Sequence, residues 1–195
     1  MPVKRPEYLP GQYYHFYNRG AHRLSIFREE DNYIFVLRKV KAYCRSLTLM
    51  PIAYCLMPNH YHFLIRQDGE QRAGLLLQRV FNSYSKAYNR RYEHSGTLFE
   101  DNYKVIPVED QAHLLHLCRY IHANPIKHGL VTDPEGWFYS NYLEWVGERD
   151  GTLVDRDFVR EHFRSAEDYR EFVLDYVLER GLPKELETYL NAWEG

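Results

Sequence analysis

Met57-Pro58-Asn59-His60-Tyr61-His62-Phe63-Leu64-Ile65 is the stretch on which the reading of this chain turns. Pro58-Asn59 is a turn signal, and the aromatic and β-branched residues after it favour an extended strand. Alternation along that strand sets His60 and His62 on one face and sends Tyr61 and Phe63 to the other, into a core. Residues 49–56 read as the strand before the turn, so the two form a hairpin. Two neutral imidazoles a few ångströms apart make half of a divalent-metal site. They also read as a pair of partly exposed strand histidines, and spacing alone leaves both readings open.

A second stretch, Cys118-Arg119-Tyr120-Ile121-His122-Ala123-Asn124-Pro125, changes that balance. His60-Tyr61-His62 has the form His-hydrophobic-His. Together with Tyr120-Ile121-His122-Ala123-Asn124-Pro125 it resembles the single-strand DNA transposases of the HUH nuclease superfamily that carry one catalytic tyrosine. The match is closest to the branch of REP-associated tyrosine transposases. Tyr17-Asn18-Arg19-Gly20, Ile26-Phe27, Gly96-Thr97-Leu98-Phe99 and residues 137–142 agree in order, so the resemblance spans roughly residues 8–147.

At 195 residues the chain is long enough for one domain with a real core, or one domain with an appendage. We expect a transposase domain over residues 1–147 and an acidic, helical extension over 148–195. The formal charge of −2 hides an asymmetry: residues 1–130 carry 18 Lys+Arg against 11 Asp+Glu, and residues 131–195 carry 7 against 16. A basic body with an acidic appendage suits a binder of polyanions, although a chance split of solvated charge gives the same count. No stretch reaches the ~18 apolar residues of a membrane span, and the N-terminus lacks the apolar segment of a signal peptide. Cys44, Cys55 and Cys118 are odd in number and far apart, which argues against a disulfide framework or a zinc ribbon. A reducing cytoplasm is the expected setting, without a membrane partner, and the resemblance implies association with the bacterial nucleoid.

In chain order, residues 13–17 read as a first strand that closes at Asn18-Arg19-Gly20. A helix follows from Asp31, its expected N-cap, to about Arg45. After the histidine hairpin, residues 74–92 read as a long helix with Leu75, Leu76, Val80, Tyr84 and Tyr88 toward a core. Arg79, Lys86, Arg90 and Arg91 mark its basic side, with Tyr84, Tyr88 and Tyr92 interleaved. Basic and aromatic residues together suit single-stranded nucleic acid, because arginine meets phosphate while rings stack on bases. A solvated basic face with core tyrosines is the plainer reading of the same pattern. Residues 99–108 read as a further strand, and a helix starting near Asp110 should end about Asn124, ahead of Pro125. Residues 157–176 read as one helix and 184–193 as a last short one. The pattern is α+β with one antiparallel sheet. The resemblance implies a sheet of the ferredoxin or RRM-like kind with helices packed on one face.

Cutting a phosphodiester needs a nucleophile, neutralisation of phosphate charge and in-line geometry. A tyrosine serves as nucleophile if its proton is removed or its oxyanion stabilised, since its free pKa is about 10. A divalent cation on His60 and His62 would polarise a phosphate oxygen, and two imidazoles alone hold such an ion weakly, so a third ligand is expected. Asn124 lies four residues after Tyr120, so on a helix both side chains leave one face, one turn apart. The resemblance implies the same roles: His60 and His62 as the metal pair, Asn124 completing the site, and Tyr120 as nucleophile. The ion it implies is Mg2+ or Mn2+. The implied reaction is transesterification on single-stranded, hairpin-bearing DNA through a 5′-phosphotyrosine link, by a monomer rather than a dimer. His113 and His116 read as exposed helix residues, and His122 as structural.

After Gly96-Thr97-Leu98-Phe99 the family usually continues with a Gln-Gly-Arg type of segment, whereas here the chain reads Glu100-Asp101-Asn102-Tyr103-Lys104. Asn102 stands where an arginine is usual, and Lys104 is placed to compensate in part. Arg19, Arg79, Lys86, Arg90, Arg91 and Lys104 are the candidate DNA contacts. A non-cleaving DNA- or RNA-binding module of the same fold is the alternative function, and a phosphoesterase using activated water is a third. The acidic extension could cover the active site, mimic DNA charge or pack as scaffold.

Overall fold

Five aromatic and imidazole residues followed by Asn18 and Arg19 form the first strand, β1 (Tyr13–Arg19), whose alternate side chains face the two layers of the molecule. The computed structural model describes residues 6–108 and 110–178. α1 (Glu30–Leu47), β2 (Leu49–Met57), β3 (His60–Gln67), α2 (Gly74–Arg91), β4 (Lys104–Val108) and α3 (Gln111–Lys127) follow in order. The chain then adds α4 (Tyr142–Trp145), α5 (Arg156–His162) and α6 (Ala166–Val177). Among the described residues four strands pair antiparallel in the order β2-β3-β1-β4.

On one face of the sheet, Tyr14, Phe16, Tyr61, Phe63 and Ile65 meet α1 and α2 in a single apolar cluster. α1 offers Tyr33, Val36, Val40, Cys44 and Leu47, a stripe at helical spacing, and α2 offers Leu77, Val80, Phe81, Tyr84 and Tyr88. These are the helices expected on one face. The other face is covered too: Leu64, Cys55 and Met57 pack against Leu117, Tyr120 and Ile121 of α3, with α4, α5 and α6 behind. Phe158, Tyr169, Val173 and Tyr176 belong to that second cluster, so residues on either side of position 147 share one core. The three cysteines are buried thiols. No helix among the described residues is long and apolar enough to cross a membrane.

Local chemistry moves several boundaries from their expected positions. α1 starts ahead of Asp31, because the Asn32 side chain accepts the Arg28 N–H at 2.9 Å and leaves extended Glu29 in the cap position. β4 covers only the second half of the expected strand. Phe99 makes a single bridge to Gly20, and the Asn18 side chain, rather than the ladder, takes the Asp101 carbonyl at 2.9 Å. α3 runs through Pro125 to Lys127. Proline removes one helical N–H, but in the last turn only that bond is lost, and His128 N–H still reaches Asn124 O at 3.0 Å. The single helix expected over 157–176 is two, because Phe163 turns extended and Ser165 caps α6 by accepting the Asp168 N–H at 3.1 Å. The helix expected over 184–193 lies outside the described residues.

Candidate active site

The two-residue turn Pro58-Asn59 that launches β3 is held from outside the hairpin. Ile26 and Phe27 N–H groups donate to Pro58 O at 2.7 and 2.9 Å, and Gly20 N–H donates to Asn59 O at 2.7 Å. A Cβ on Gly20 would overlap the Leu24 carbonyl oxygen, so only glycine lets this loop close on the turn. His60 is thereby fixed at the start of β3, with His62 two residues on and on the same face.

Antiparallel pairing brings β1 alongside: Arg19 stands opposite His60, and Tyr17 opposite His62. His15 lies on the same face, and its Nε2 is 3.1 Å from Nδ1 of His62, with the rings stacked at 5.2 Å. α3 crosses above and lays Tyr120 edge-on to His62, with centroids 5.4 Å apart. One turn later the Asn124 amide nitrogen donates to Tyr120 O at 2.9 Å, which aims its oxygen away from its own helix. That oxygen lies 3.3 Å from His60 Nε2.

His60 Nδ1 faces Asn59 Oδ1 at 2.7 Å. Placing the imidazole proton on Nδ1, as that oxygen favours, leaves Nε2 with its lone pair. Two lone pairs, on His60 Nε2 and Asn124 Oδ1, then converge at 3.3 Å. Adjacent ligands of an octahedral Mg2+ at 2.0–2.1 Å would be about 2.9 Å apart, so the pair suits a shared cation after a small adjustment. Burial lowers His60 to about 4, helped by nearby His128, whose ring centroid is 5.0 Å away. Burial, then His15 and His60, holds His62 well below the usual imidazole range. Both are neutral at neutral pH, the form that binds a cation. Among the described residues no three His, Cys, Asp or Glu side chains converge as a metal cluster, and the two donors brought closest together are His60 Nε2 and the Asn124 amide oxygen, with the His62 ring 5.3 Å from that of His60.

Tyr120, Asn124 and His62 are 2 %, 1 % and 4 % exposed, which closes the site to solvent on the α3 side. Tyr176 of α6 is part of that cover, edge-on to Tyr120 at 6.1 Å. The candidate DNA contacts fall into two groups. Arg19 and Lys104 share the face and end of the sheet with His60, Arg19 paired with Glu100 and Lys104 Nζ 5.9 Å above the Tyr17 ring. Arg79, Lys86, Arg90 and Arg91 lie on α2, across the sheet from the histidines. Of these, Arg91 pairs with Glu29 at 3.0 Å and Arg79 lies 5.8 Å over Tyr43. Tyr84 and Tyr88 are core residues whose hydroxyls donate to Ile26 O and Ser25 O. His113 and His116 are half-buried rather than exposed, because α6 reaches back over α3 and sets Phe172 5.7 Å from His116. His15, Asn59 and His128 escaped the sequence reading. Only His15 carried a signal, as an alternate residue of the first strand, and that signal needs the β1–β3 register to be read.

The family described as IS200-like transposase matches residues 9–124. Among solved structures, the REP-associated tyrosine transposase bound to a REP hairpin is similar at 17% identity, with a TM-score of 0.64 over 80% of this chain and 94% of that one. A candidate transposase of Deinococcus radiodurans is similar at 14% identity, with a TM-score of 0.42 over 61% of this chain and 95% of that one. No curated protein matches the sequence.

Proposed function

The chain belongs to the IS200-like transposase family, and from that membership we propose that it cuts and rejoins single-stranded, hairpin-bearing DNA with Tyr120 as nucleophile. The observation that carries the reading is the convergence of His60 Nε2 and Asn124 Oδ1 at 3.3 Å, one helical turn from Tyr120. When bound there, Mg2+ or Mn2+ would supply Lewis-acid polarisation of a non-bridging phosphate oxygen. The side chains do the rest. Tyr120 Oη forms a bond to phosphorus as the bond from phosphorus to the 3′-oxygen breaks. The proton lost by the phenol balances the one gained by the freed 3′-hydroxyl. The phosphotyrosine keeps the bond energy, so a second 3′-hydroxyl can reverse the step on another strand without ATP. Arg19 and Lys104, at the same end of the sheet, are placed to hold flanking phosphates. A hairpin substrate is favoured by the similar REP-associated transposase, which was solved with a REP hairpin. The chain acts in the cytoplasm, as a monomer.

The test is a cleavage assay on labelled stem–loop DNAs with Mg2+ or Mn2+, comparing wild type with Tyr120→Phe. A 5′ product covalently attached to the protein, absent without metal and absent in Tyr120→Phe, supports the reading. Cutting that survives the substitution makes water the nucleophile. A second reading, a binding module that no longer cuts, is favoured by the burial of Tyr120 beneath Tyr176. Tight hairpin binding with no covalent product would select it.

A further inference from the structure

Two packed helices, α1 and α2, form the layer on the side of the sheet away from His60 and His62. Their outer surface carries charge of one sign. Residues 32–67 include no acidic side chain, and neither do residues 71–92. Within those spans α1 exposes Arg38, Lys41 and Arg45, and α2 exposes Arg79, Lys86 and Arg90. Arg79 lies over Tyr43 of α1, 5.8 Å from its ring, so it joins the two helices at that surface. Among the described residues, Arg91 is the one cation of the two helices held in an ion pair, with Glu29 at 3.0 Å and Asp31 at 3.2 Å. The layer on the histidine side has the opposite balance: α6 holds Glu167, Asp168, Glu171 and Asp175 against a single arginine, Arg170.

A surface of unpaired cations attracts a polyanion, and what it lacks decides which one. A single strand is held by rings open to its bases, yet Tyr84 and Tyr88 are buried in the core and Tyr43 sits beneath Arg79. A membrane surface is held by apolar side chains that insert, yet none of the large exposed hydrophobic residues described lies on α1 or α2. Charge without stacking or insertion suits the backbone of a duplex, whose bases are already stacked and paired. The row from Arg79 to Arg90 is about 16 Å long, and a duplex carries about ten phosphates over that length.

We propose that the outer face of α1 and α2 binds the backbone of duplex DNA, without reading its sequence, as a surface separate from the histidine site. It goes beyond the transposase reading and does not depend on it, because the sheet stands between this face and Tyr120. A protein so built holds a duplex on one layer while a single strand enters the other.

Anisotropy titrations of the full-length protein with blunt duplexes of unrelated sequence, over a salt series, test it. Wild type should bind them equally, with log affinity falling against log salt at a slope of about −5 when all six cations meet phosphate. Arg79→Gln, Lys86→Gln and Arg90→Gln together should weaken binding about tenfold or more and flatten the slope by about 2.7. The melt and the Mn2+ affinity of that variant should match wild type. Arg156→Gln combined with Arg160→Gln, on α5 in the acidic layer, should leave duplex affinity unchanged. No duplex binding at low salt, or an equal loss in both variants, overturns the proposal. So does binding to phosphatidylserine vesicles in place of duplex, or DNA-free dimerisation that the triple variant abolishes. None of these outcomes touches the transposase reading, since no cutting is measured.

Discussion

Arg19, opposite His60 in the sheet, donates from Nη2 to Glu100 Oε1 at 3.2 Å and from Nε to Oε2. The acid in the divergent stretch thus occupies a cation that stands beside the candidate metal ligands. The Arg19 guanidinium holds the Glu100 carboxyl below the usual carboxylate range, so the pair stays charged at neutral pH. Both side chains are partly exposed, and the bond is open to competition from phosphate and from salt. Glu100→Gln should release Arg19 and raise affinity for stem–loop DNA severalfold at low salt. The plot of log affinity against log salt should steepen by about 0.7, as for one added phosphate contact on a single strand. Anisotropy titrations over a salt series read both. An unchanged slope would mean that Arg19 meets no phosphate.

His15 acts behind His62. Its Nε2, 3.1 Å from His62 Nδ1, fixes which nitrogen of His62 faces the site. Partners of this kind are worth about 10–100-fold in metal affinity. His15→Phe should preserve the aromatic stack on Tyr17 but lose the bond, weakening Mn2+ binding by at least about tenfold. Calorimetric titration with Mn2+ checks it, beside a thermal melt to show that the fold survives. Equal Mn2+ affinity in variant and wild type would reduce His15 to packing.

Much of this arrangement was legible because it is local. The period of two in β1 and β3 separated His60 and His62 from Tyr61 and Phe63, and the four-residue step put Asn124 beside Tyr120. What the sequence withheld is non-local. Nothing in the spacing of residues 15 and 62 says that β1 and β3 are neighbours, so His15 stayed hidden until the register was known. Arg79, Lys86, Arg90 and Arg91 read well as a basic stripe, yet which face of the sheet a helix covers is set by chain topology, and α2 packs opposite the histidines. Pro125 misled for a different reason: its lost N–H costs one bond, and burial of α3 between the sheet and α6 outweighs it.

Gly20 tests how far the hairpin turn controls the site. Its φ is −63°, so substitution costs no backbone strain, and the obstacle is the Leu24 carbonyl oxygen against a new Cβ. Gly20→Ala should push the segment 20–27 off Pro58 and Asn59, destabilising the protein by about 1–3 kcal/mol. For a chain of this size that is roughly 2–4 °C of melting temperature per kcal/mol. Mn2+ affinity should fall with it, because the turn that loosens carries His60. A wild-type melt would show that the loop yields without cost.

His122 makes stability depend on pH. Its Nε2 is 2.9 Å from Asn141 Oδ1, an oxygen that also accepts the Tyr54 N–H at 2.8 Å, and its Nδ1 meets the Tyr169 hydroxyl. The neutral imidazole satisfies all of these: Nε2–H donates to Asn141, and Nδ1 accepts from Tyr169. A second proton would sit on Nδ1 against that hydroxyl, deep in the core. Burial therefore lowers His122 to about 4, while in the unfolded chain it titrates near the ordinary value of about 6.5. Between those values the unfolded state holds the extra proton, so the contribution of His122 is complete above about pH 6.5 and is lost as the pH falls toward 4. The whole effect is on the order of 3 kcal/mol. Denaturant unfolding followed from pH 7.5 to 4.5 should show stability falling across this window. In His122→Gln the fall should be shallower by up to about 1.4 kcal/mol per pH unit, the share of one proton. Parallel curves for the two proteins would place the acid sensitivity in other groups and leave His122 as neutral packing between α3 and the C-terminal helices.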